Sequence, residues 1–523
     1  MPSADEAARA DVCLVLEGTY PYVKGGVSTW VHDLIGGLPD LRFNVVHIGP
    51  GRGAYVRSHY VLPATVVDLS DLYCQEPLTR GHDLAALQWA ARRERRRHGG
   101  ARRVSRVLRA IRALHLEERA DEALLDDLAS GDLPLAALLH GRAAFELMVE
   151  LCEQLAPKAS FLDFFWHFRS MHLPLVHLIG TPPPEAAMYH SVCTGYAGLL
   201  AAAWSRRTGR PLLLSEHGIY VRERNLELDR ASWLNHAHDR ARADDIPGAL
   251  ESPTASALRR MWARFFRTLA RIAYGQATTV VSLCDASRDR QIADGAAAAK
   301  TLVVPNGIDL DAFHERMGRA GPATPRRVTI GFVGRVVPIK DIITFIRACY
   351  LARTAVDVDA RVFGTIDEDP QYARRCRRLV AKLGLEQMIR FEASKPIERI
   401  YPEIDVVVLT SLSEGQPLVI LEAGAAGIPV VASDVGACRE LIEGRGEEDR
   451  RLGPSGIVTR LAAPEETAAA IVRLARDREL RRQMGAAGRR RVAAYYRESA
   501  TLALYRGLYT GEPWPASAGA SSA

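Results

Sequence analysis

Short apolar runs recur along the chain: Val12–Leu16, Phe43–Ile48, Ala187–His190, Leu212–Ser215, Thr279–Leu283, Leu302–Val304, Val328–Val333, Arg361–Phe363, Asp405–Leu409 and Val430–Ala432. Most are continuously apolar rather than alternating, and helical patterns separate many of them. Strands buried on both faces read this way, so the pattern predicts an α/β fold of parallel sheets covered on both sides. The runs form two sets, and between them His314–Arg327, "HERMGRAGPATPRR", is rich in glycine, proline and charge with no apolar period. That composition predicts a linker. The expectation is two doubly wound, Rossmann-like domains facing across a cleft, 1–303 and 304–490. Ligands of such sheets bind beyond the carboxyl ends of the strands.

Two regions depart from the alternation. Residues 70–150 are rich in Leu, Ala, Arg, Asp and Glu and predict a helical insertion in the first domain. Glu465–Tyr496 reads as one or two helices, and a last helix within 491–512 is expected to cross back to the first domain. The tail from 513, "PWPASAGASSA", is expected to be disordered.

Composition narrows the class. The chain has 523 residues, 48% hydrophobic and 25% charged, as in globular proteins made of more than one domain. No apolar run approaches the roughly 20 residues of a membrane span. The acidic start, Met-Pro-Ser-Ala-Asp-Glu, is unlike a signal peptide, so a cytoplasmic location is expected. The eight cysteines are scattered without a Cys-x-x-Cys pair and read as buried small hydrophobes rather than zinc ligands or disulfides. Net charge is +6, but Arg92–Arg109 alone holds nine arginines and one glutamate, which leaves the rest of the chain slightly negative. A nucleic-acid binder would spread its positive charge more widely. The basic segment reads as a solvated helix or loop, or as a docking element for anionic lipid or an acidic partner.

The candidate chemistry sits in loops that follow strands. In "LTSLSEGQPLVILEAGAAGIPVVAS", Leu409–Ser433, a buried strand breaks into a polar loop and a helix. Pro417 suits the first helical position. Backbone N–H groups near Gln416 and Leu418 would then face a phosphate at the helix start. Glu414 in the loop would face a reacting sugar, and Glu422, one to two turns into the helix, would accept hydrogen bonds from sugar hydroxyls. The alternative is an acidic loop followed by a solvated glutamate. In "IGFVGRVVPIKDIITFIRA", Gly334 closes a turn after a strand, with Arg335 at its exit and Lys340 before the next helix. Two cations there suit a diphosphate, or are plain surface charges. In "LEGTYPYVKGGVSTWVHDLI", Gly25 and Gly26 allow close approach of a ligand, and Ser28 can cap the helix. A simple turn reads the same way. His190 and His217 end strands, and His217 stands between Glu216 and Gly218. Either histidine is a site candidate or a structural imidazole. Cys193 near His190 has no accompanying constellation of a nucleophilic site.

Together these stretches resemble the GT-B retaining glycosyltransferases of family 4. The resemblance rests on the Glu414-x7-Glu422 spacing, the Gly334-Arg335…Lys340 loop, "VVPNGIDLDAF" at the domain junction and the Lys24-Gly25-Gly26-Val27 turn. Within that family, "EGTYPYVKGGVSTWVHDLI", "YHSVCTGYAGLLAA" and "SEHGIYVRERNLEL" resemble the Pel exopolysaccharide glycosyltransferases, the PelF subgroup. The resemblance implies a cytoplasmic hexosyltransferase that uses a UDP-sugar, retains configuration and needs no metal or other cofactor. Its implied partners are a polysaccharide acceptor and an inner-membrane Pel secretion complex, with no nucleic acid. Arg335 and Lys340 would hold the diphosphate and act in catalysis with Glu414 and His217. Glu422 would bind ribose, and Glu414 the transferred sugar. Gln416, Pro417 and Leu418 would line the phosphate site with Gly334. His217 would lie near the anomeric carbon. Gly25 and Gly26 would line the cleft, and the base would lie near Phe391–Lys395, with Ser394. Lys24, His190, Glu216, Arg222 and Asn306 are further cleft candidates.

Three rivals remain. A metal-dependent transferase would show Asp-x-Asp after a strand, and the chain has Asp309/Asp311, Asp357/Asp359 and Asp367/Asp369, although chance matches are expected among 62 acidic residues. A sugar-nucleotide epimerase of the same fold would consume donor without acceptor. A catalytically silent scaffold of a secretion complex would not need Arg335 or Glu414.

Overall fold

The computed structural model describes residues 9–55, 57–74, 100–118, 126, 138, 141–230, 253–318, 327–393 and 395–512. The chain divides into two compact units, Met1–Val281 with Asp289–Leu302 and Ser282–Arg288 with Val303–Ala523.

The first unit is built on a seven-stranded sheet. In chain order its strands are β1 (Ala10–Glu17), β2 (Phe43–Gly49), β3 (Val66–Tyr73), β4 (Ala186–Ser191), β5 (Leu212–Glu216), β6 (Thr279–Ser282) and β7 (Thr301–Val303). Their order across the sheet is β3-β2-β1-β4-β5-β6-β7, with β1 parallel to both β2 and β4. Central β1 explains the continuous apolar run, because Val12 through Leu16 are all 0% exposed. Edge strand β3 (VVDLSDLY) was not legible, because it is only half covered and keeps Asp and Ser among its apolar residues. Helix Gly26–Gly36 follows β1 with Gly25 at its cap position and no capping side chain. The expected cap by Ser28 is therefore corrected: Ser28 is buried inside the first turn.

Helices Gly100–Leu116, Arg142–Leu155 and Phe161–Ile179 lie in the chain between β3 and β4. Most of the insertion expected over 70–150, with Arg92–Arg97 of the basic segment, lies outside the described residues. Of that segment, Arg102, Arg106 and Arg109 are exposed on helix Gly100–Leu116. The inner face of the same helix buries His115, whose Nε2 meets Nε2 of His172 at 3.1 Å. Burial holds both imidazoles neutral, His172 with a pKa of about 4 and His115 well below the ordinary value.

The second unit carries β8 (Val328–Val333), β9 (Val358–Phe363), β10 (Ile389–Glu392), β11 (Val406–Leu409), β12 (Val430–Ser433) and β13 (Gly456–Thr459), ordered β10-β9-β8-β11-β12-β13. The two unforeseen strands, β10 and β13, are both edges. β13 packs against β12 so closely that a Cβ on Gly456 would lie 1.9 Å from the Val430 carbonyl oxygen. The linker expected over His314–Arg327 is also corrected in part. Helix Leu310–Gly318 runs into it, with Asp309 accepting from the Ala312 N–H at 3.0 Å and Phe313 fully buried. The apolar positions 310, 313 and 317 hold the helix against its unit; residues 319–326 lie outside the described residues.

Glu465–Tyr496 forms two helices, Pro464–Arg476 and Arg478–Tyr495, broken at Asp477, which caps the second. The last helix, Glu498–Thr510, is tied within its unit by Thr501 Oγ1 donating to the Pro305 carbonyl at 2.9 Å. The tail from 513 lies outside the described residues. No helix among the described residues is long and apolar enough to cross a membrane.

A buried ion pair fastens helix Arg478–Tyr495 to this unit. Arg491, 1% exposed, gives Nε to Asp449 Oδ1 at 2.6 Å, Nη1 to the Ile442 carbonyl at 2.7 Å and Nη2 to the Gly453 carbonyl at 2.9 Å. Removing one partner strands the other charge, which typically costs about 3–5 kcal/mol. Arg491→Leu is therefore expected to lower the unfolding midpoint of this unit markedly in chemical denaturation, and an unchanged midpoint would refute the assignment. The His115–His172 pair gives a second expectation. Unfolded histidine titrates near pH ~6.5, whereas the folded pair stays neutral. The unfolded state thus binds more protons as pH falls below that value, and stability drops toward pH 4. Melting curves taken across this window should show the fall, and His115→Leu with His172→Leu should flatten it.

Candidate functional site

The carboxyl ends of β8 and β11 lie side by side in the second sheet, and both lead into polar loops. After β8 the chain passes Gly334 at φ +154°, with its N–H donating to the Phe363 carbonyl at 2.9 Å. Gly364 lies against it so closely that a Cβ there would sit 1.9 Å from the Gly334 carbonyl oxygen. This contact sets Arg335 at the strand mouth, where Nη1 meets Glu368 and the side chain stays half-exposed. Lys340 ends the turn Pro338–Lys340, and Nζ meets Glu414 Oε1 at 2.5 Å. Thr410 steadies this turn by donating Oγ1 to the Asp341 carbonyl at 2.9 Å. The structure thus joins Lys340 and Glu414, 74 positions apart, in one partly buried pair.

The loop that carries Glu414 is packed against the turn at Gly436 and Ala437. Gly436, at φ +52°, lies where a Cβ would fall 2.1 Å from the Glu414 carbonyl oxygen, and Ala437 N–H donates to the Gly415 carbonyl at 2.8 Å. The Gln416 side chain accepts from the Asn306 N–H at 2.6 Å and donates to the Asn306 carbonyl at 3.2 Å, so both residues are buried in one reciprocal pair. The Asn306 side-chain Oδ1 is buried without a partner among the described residues. Pro417 is corrected by one position: it caps helix Leu418–Ala426 rather than opening it, with ψ 113°. Leu418 becomes the first helical residue, and no backbone carbonyl accepts from the N–H of Gln416 or Leu418 among the described residues. Such a start favours an anion through free N–H groups and the helix dipole. Further along, Glu422 accepts from the Tyr401 hydroxyl. Burial raises the Glu422 pKa, while the Tyr401 hydrogen bond and the Arg316 charge lower it. Ser394 lies outside the described residues, next to Lys395, which pairs with Glu392 at 3.1 Å.

Each Asp-x-Asp pair has structural employment. Asp309 caps one helix, and Asp369 caps another through the Tyr372 N–H at 2.8 Å. Asp357 meets Arg327 at 2.9 Å, and Asp359 meets Arg361 at 2.8 Å and Arg390 at 2.7 Å.

In the first unit histidines and glutamates stand at or just beyond the strand ends. His190 is fully buried with Nε2 2.5 Å from Ser215 Oγ, and burial holds its pKa near 3. His217 lies against Trp30 with ring centroids 4.1 Å apart, its pKa likewise about 3, and its buried Nε2 has no partner among the described residues. It is a neutral imidazole, fit to exchange a hydrogen bond and unfit to act as a cation. Glu216 is occupied by Tyr274 OH at 2.5 Å, Thr194 Oγ1 and Gln291 Nε2 at 3.0 Å, and the Tyr220 N–H at 3.3 Å. Arg222 and Lys24 are exposed. Among the described residues, a Cβ on Gly25 or Gly26 would meet nothing within 4 Å.

Sequence reasoning missed Glu17, which ends β1 and accepts from Tyr220 OH at 2.8 Å and the Ala197 N–H at 3.3 Å. Its position at a strand's carboxyl end, the criterion that selected His190, would have found it. Tyr401, Glu368 and Gly436 carry no such local signal.

Residues 10–299 match the family described as a domain of unknown function (DUF3492), and residues 327–477 match "Glycosyl transferases group 1". The chain is similar to a D-inositol 3-phosphate glycosyltransferase of Geodermatophilus obscurus, 35% identical over 232 residues, covering 40% of this chain and 48% of that one. It is also similar to an MMP alpha-(1->4)-mannosyltransferase of Mycolicibacterium hassiacum, 27% identical over 317 residues, covering 59% and 66%. The chain thus spans about half the length of the first relative and just under two thirds of the second. Anabaena Alr3699/HepE, crystallised with UDP and glucose, shares the fold at TM-score 0.54 and 15% identity, over 96% of this chain and 99% of that one. The two Rossmann-like parallel-sheet units are those of the GT-B fold.

Gly436→Ala forces a side chain into a left-handed turn, about 1–2 kcal/mol by itself, and against two carbonyls. The variant is expected to lose stability and to release the Glu414 loop; wild-type melting behaviour would contradict this packing.

Proposed function

The chain belongs to the DUF3492 family, and from that membership and the geometry of its second unit we propose that it is a retaining glycosyltransferase. It moves a sugar from a UDP-sugar to a growing exopolysaccharide of the Pel type, with no metal ion or other cofactor. The second unit is a group 1 glycosyltransferase domain. The observation that carries the reading is the meeting of Lys340 with Glu414 beside Arg335, at neighbouring strand ends that open onto a helix start. Uridine is supported by the UDP and glucose bound to Anabaena Alr3699/HepE. The Pel role rests on the long strings of resemblance around Lys24, His190 and His217. With that role comes docking to an inner-membrane secretion complex, for which the Arg92–Arg109 segment is the candidate element.

The chemistry follows from charge. As the bond between the anomeric carbon and the diphosphate breaks, negative charge grows on the leaving phosphate. Arg335, Lys340 and the N–H groups of Gln416 and Leu418 stabilise that charge without reorganising. The acceptor oxygen bonds to the anomeric carbon on the face the diphosphate leaves, and its proton passes to a departing phosphate oxygen. Glu414 binds the transferred sugar and holds Lys340 until the donor arrives. Glu422 takes the ribose.

The test is a thermal-shift panel of nucleotide sugars in excess chelator, followed by turnover. A UDP-sugar present at 100 times its dissociation constant adds about 2.7 kcal/mol of stability. Arg335→Ala and Lys340→Ala are each expected to lower turnover by roughly 10²–10³. No shift with any UDP-sugar, or turnover abolished by chelator, would overturn the proposal. A covalent sugar trapped on Glu414 would overturn the single-step mechanism.

A further inference from the structure

We propose that Tyr401 is a positioning residue that aims Glu422 at the ribose hydroxyls of the bound nucleotide. The inference rests on the reading of the second unit as a nucleotide-sugar domain, and it adds a residue to that site and a source for its sugar selectivity.

Tyr401 opens the short turn Tyr401–Glu403 just before β11 and is 1% exposed. Its ring packs at 6.0 Å from Phe313 in an apolar cluster that includes Ile400, Ile404, Ile420 and Leu421. Phenylalanine would fill that space equally well. A hydroxyl buried among such groups costs stability unless it is hydrogen-bonded. Its partner is Glu422 Oε2, on the helix Leu418–Ala426. Burial pushes the Tyr401 pKa well above its ordinary value, so the phenol remains a donor.

The consequence falls on Glu422. With Oε2 taken, Oε1 is the oxygen left to accept, and Glu422 keeps some surface open although the surrounding protein raises its pKa. The Tyr401 hydrogen bond and the nearby Arg316 charge act the other way and favour the carboxylate. A carboxylate fixed at one oxygen, with no hydrogen bond to the other among the described residues, is an acceptor with a set direction. It suits a ligand that offers adjacent hydroxyl donors, as the 2′ and 3′ positions of ribose do.

The experiment compares wild type, Tyr401→Phe and Glu422→Gln by titration with UDP, GDP and ADP and their 2′-deoxy counterparts. Wild type is expected to prefer the ribose form by about tenfold, the size of one charge-assisted hydrogen bond. Tyr401→Phe should melt near the wild-type temperature, yet its preference should fall to about threefold or less. Its KM for the donor should rise while kcat at saturating donor stays within about twofold, because Glu422 does not touch the reacting atoms. Wild-type preference and KM in Tyr401→Phe would overturn the inference. Failure of that variant to fold would also overturn it, since the hydroxyl would then serve the fold. If Glu422→Gln keeps the full preference, the ribose reading itself fails. If Glu422→Gln loses the preference and Tyr401→Phe keeps it, only the role of Tyr401 fails. If no nucleotide binds wild type, both fall.

Discussion

A parallel sheet covered on both faces penalises polar side chains inside its central strands. In β1 the residues from Val12 to Leu16 have no exposure, and β11 and β12 are buried throughout. An unpaired polar group inside such strands would cost several kcal/mol, roughly 2–7. The chemistry is therefore expelled to the strand ends, where loops begin and backbone groups are free. His190, Glu216 and His217 stand at ends in the first sheet, and Arg335, Lys340 and Glu414 follow the ends in the second.

The two sheets use that constraint differently, and depth decides how. In the first unit desolvation lowers the pKa of the strand-end imidazoles, and burial raises that of Glu216 against four hydrogen bonds that lower it. In the second unit Arg335 is half-exposed and Lys340 meets a carboxylate, so neither cation lacks both water and a partner. A neutral imidazole can select a hydroxyl, whereas a cation beside a free helix start selects an anion. The Lys340–Glu414 pair gives that cation a partner within the loop.

The legibility of this chain follows from how many faces each element buries. Central strands were readable because burial on both sides demands an unbroken apolar run. The edges β3, β10 and β13 were not, since a half-covered strand tolerates Asp, Ser, Arg and Gly. The end of helix Leu310–Gly318 was lost within a glycine- and proline-rich stretch, although Asp309 and Phe313 gave a cap and an anchor before it. Pro417 was misplaced by one residue because proline suits both a cap and a first turn, and its ψ settles which.

Site residues divide along a similar line. The amino-acid sequence alone determined two parallel-sheet units, the loops that follow their strands, and the residue types in those loops. Apolar runs, glycine turns and the spacing of Glu414 and Glu422 are local, and local chemistry is written in consecutive residues. Tertiary structure alone decided the partners: Lys340 with Glu414, Tyr401 with Glu422, Arg335 with Glu368, and Gly436 under the Glu414 carbonyl. These pairs join loops from different strands, and their distance in the chain leaves no periodic trace. Whether a histidine carries charge was likewise undecided until the packing around it was known, because burial sets that charge and burial is a property of the folded whole.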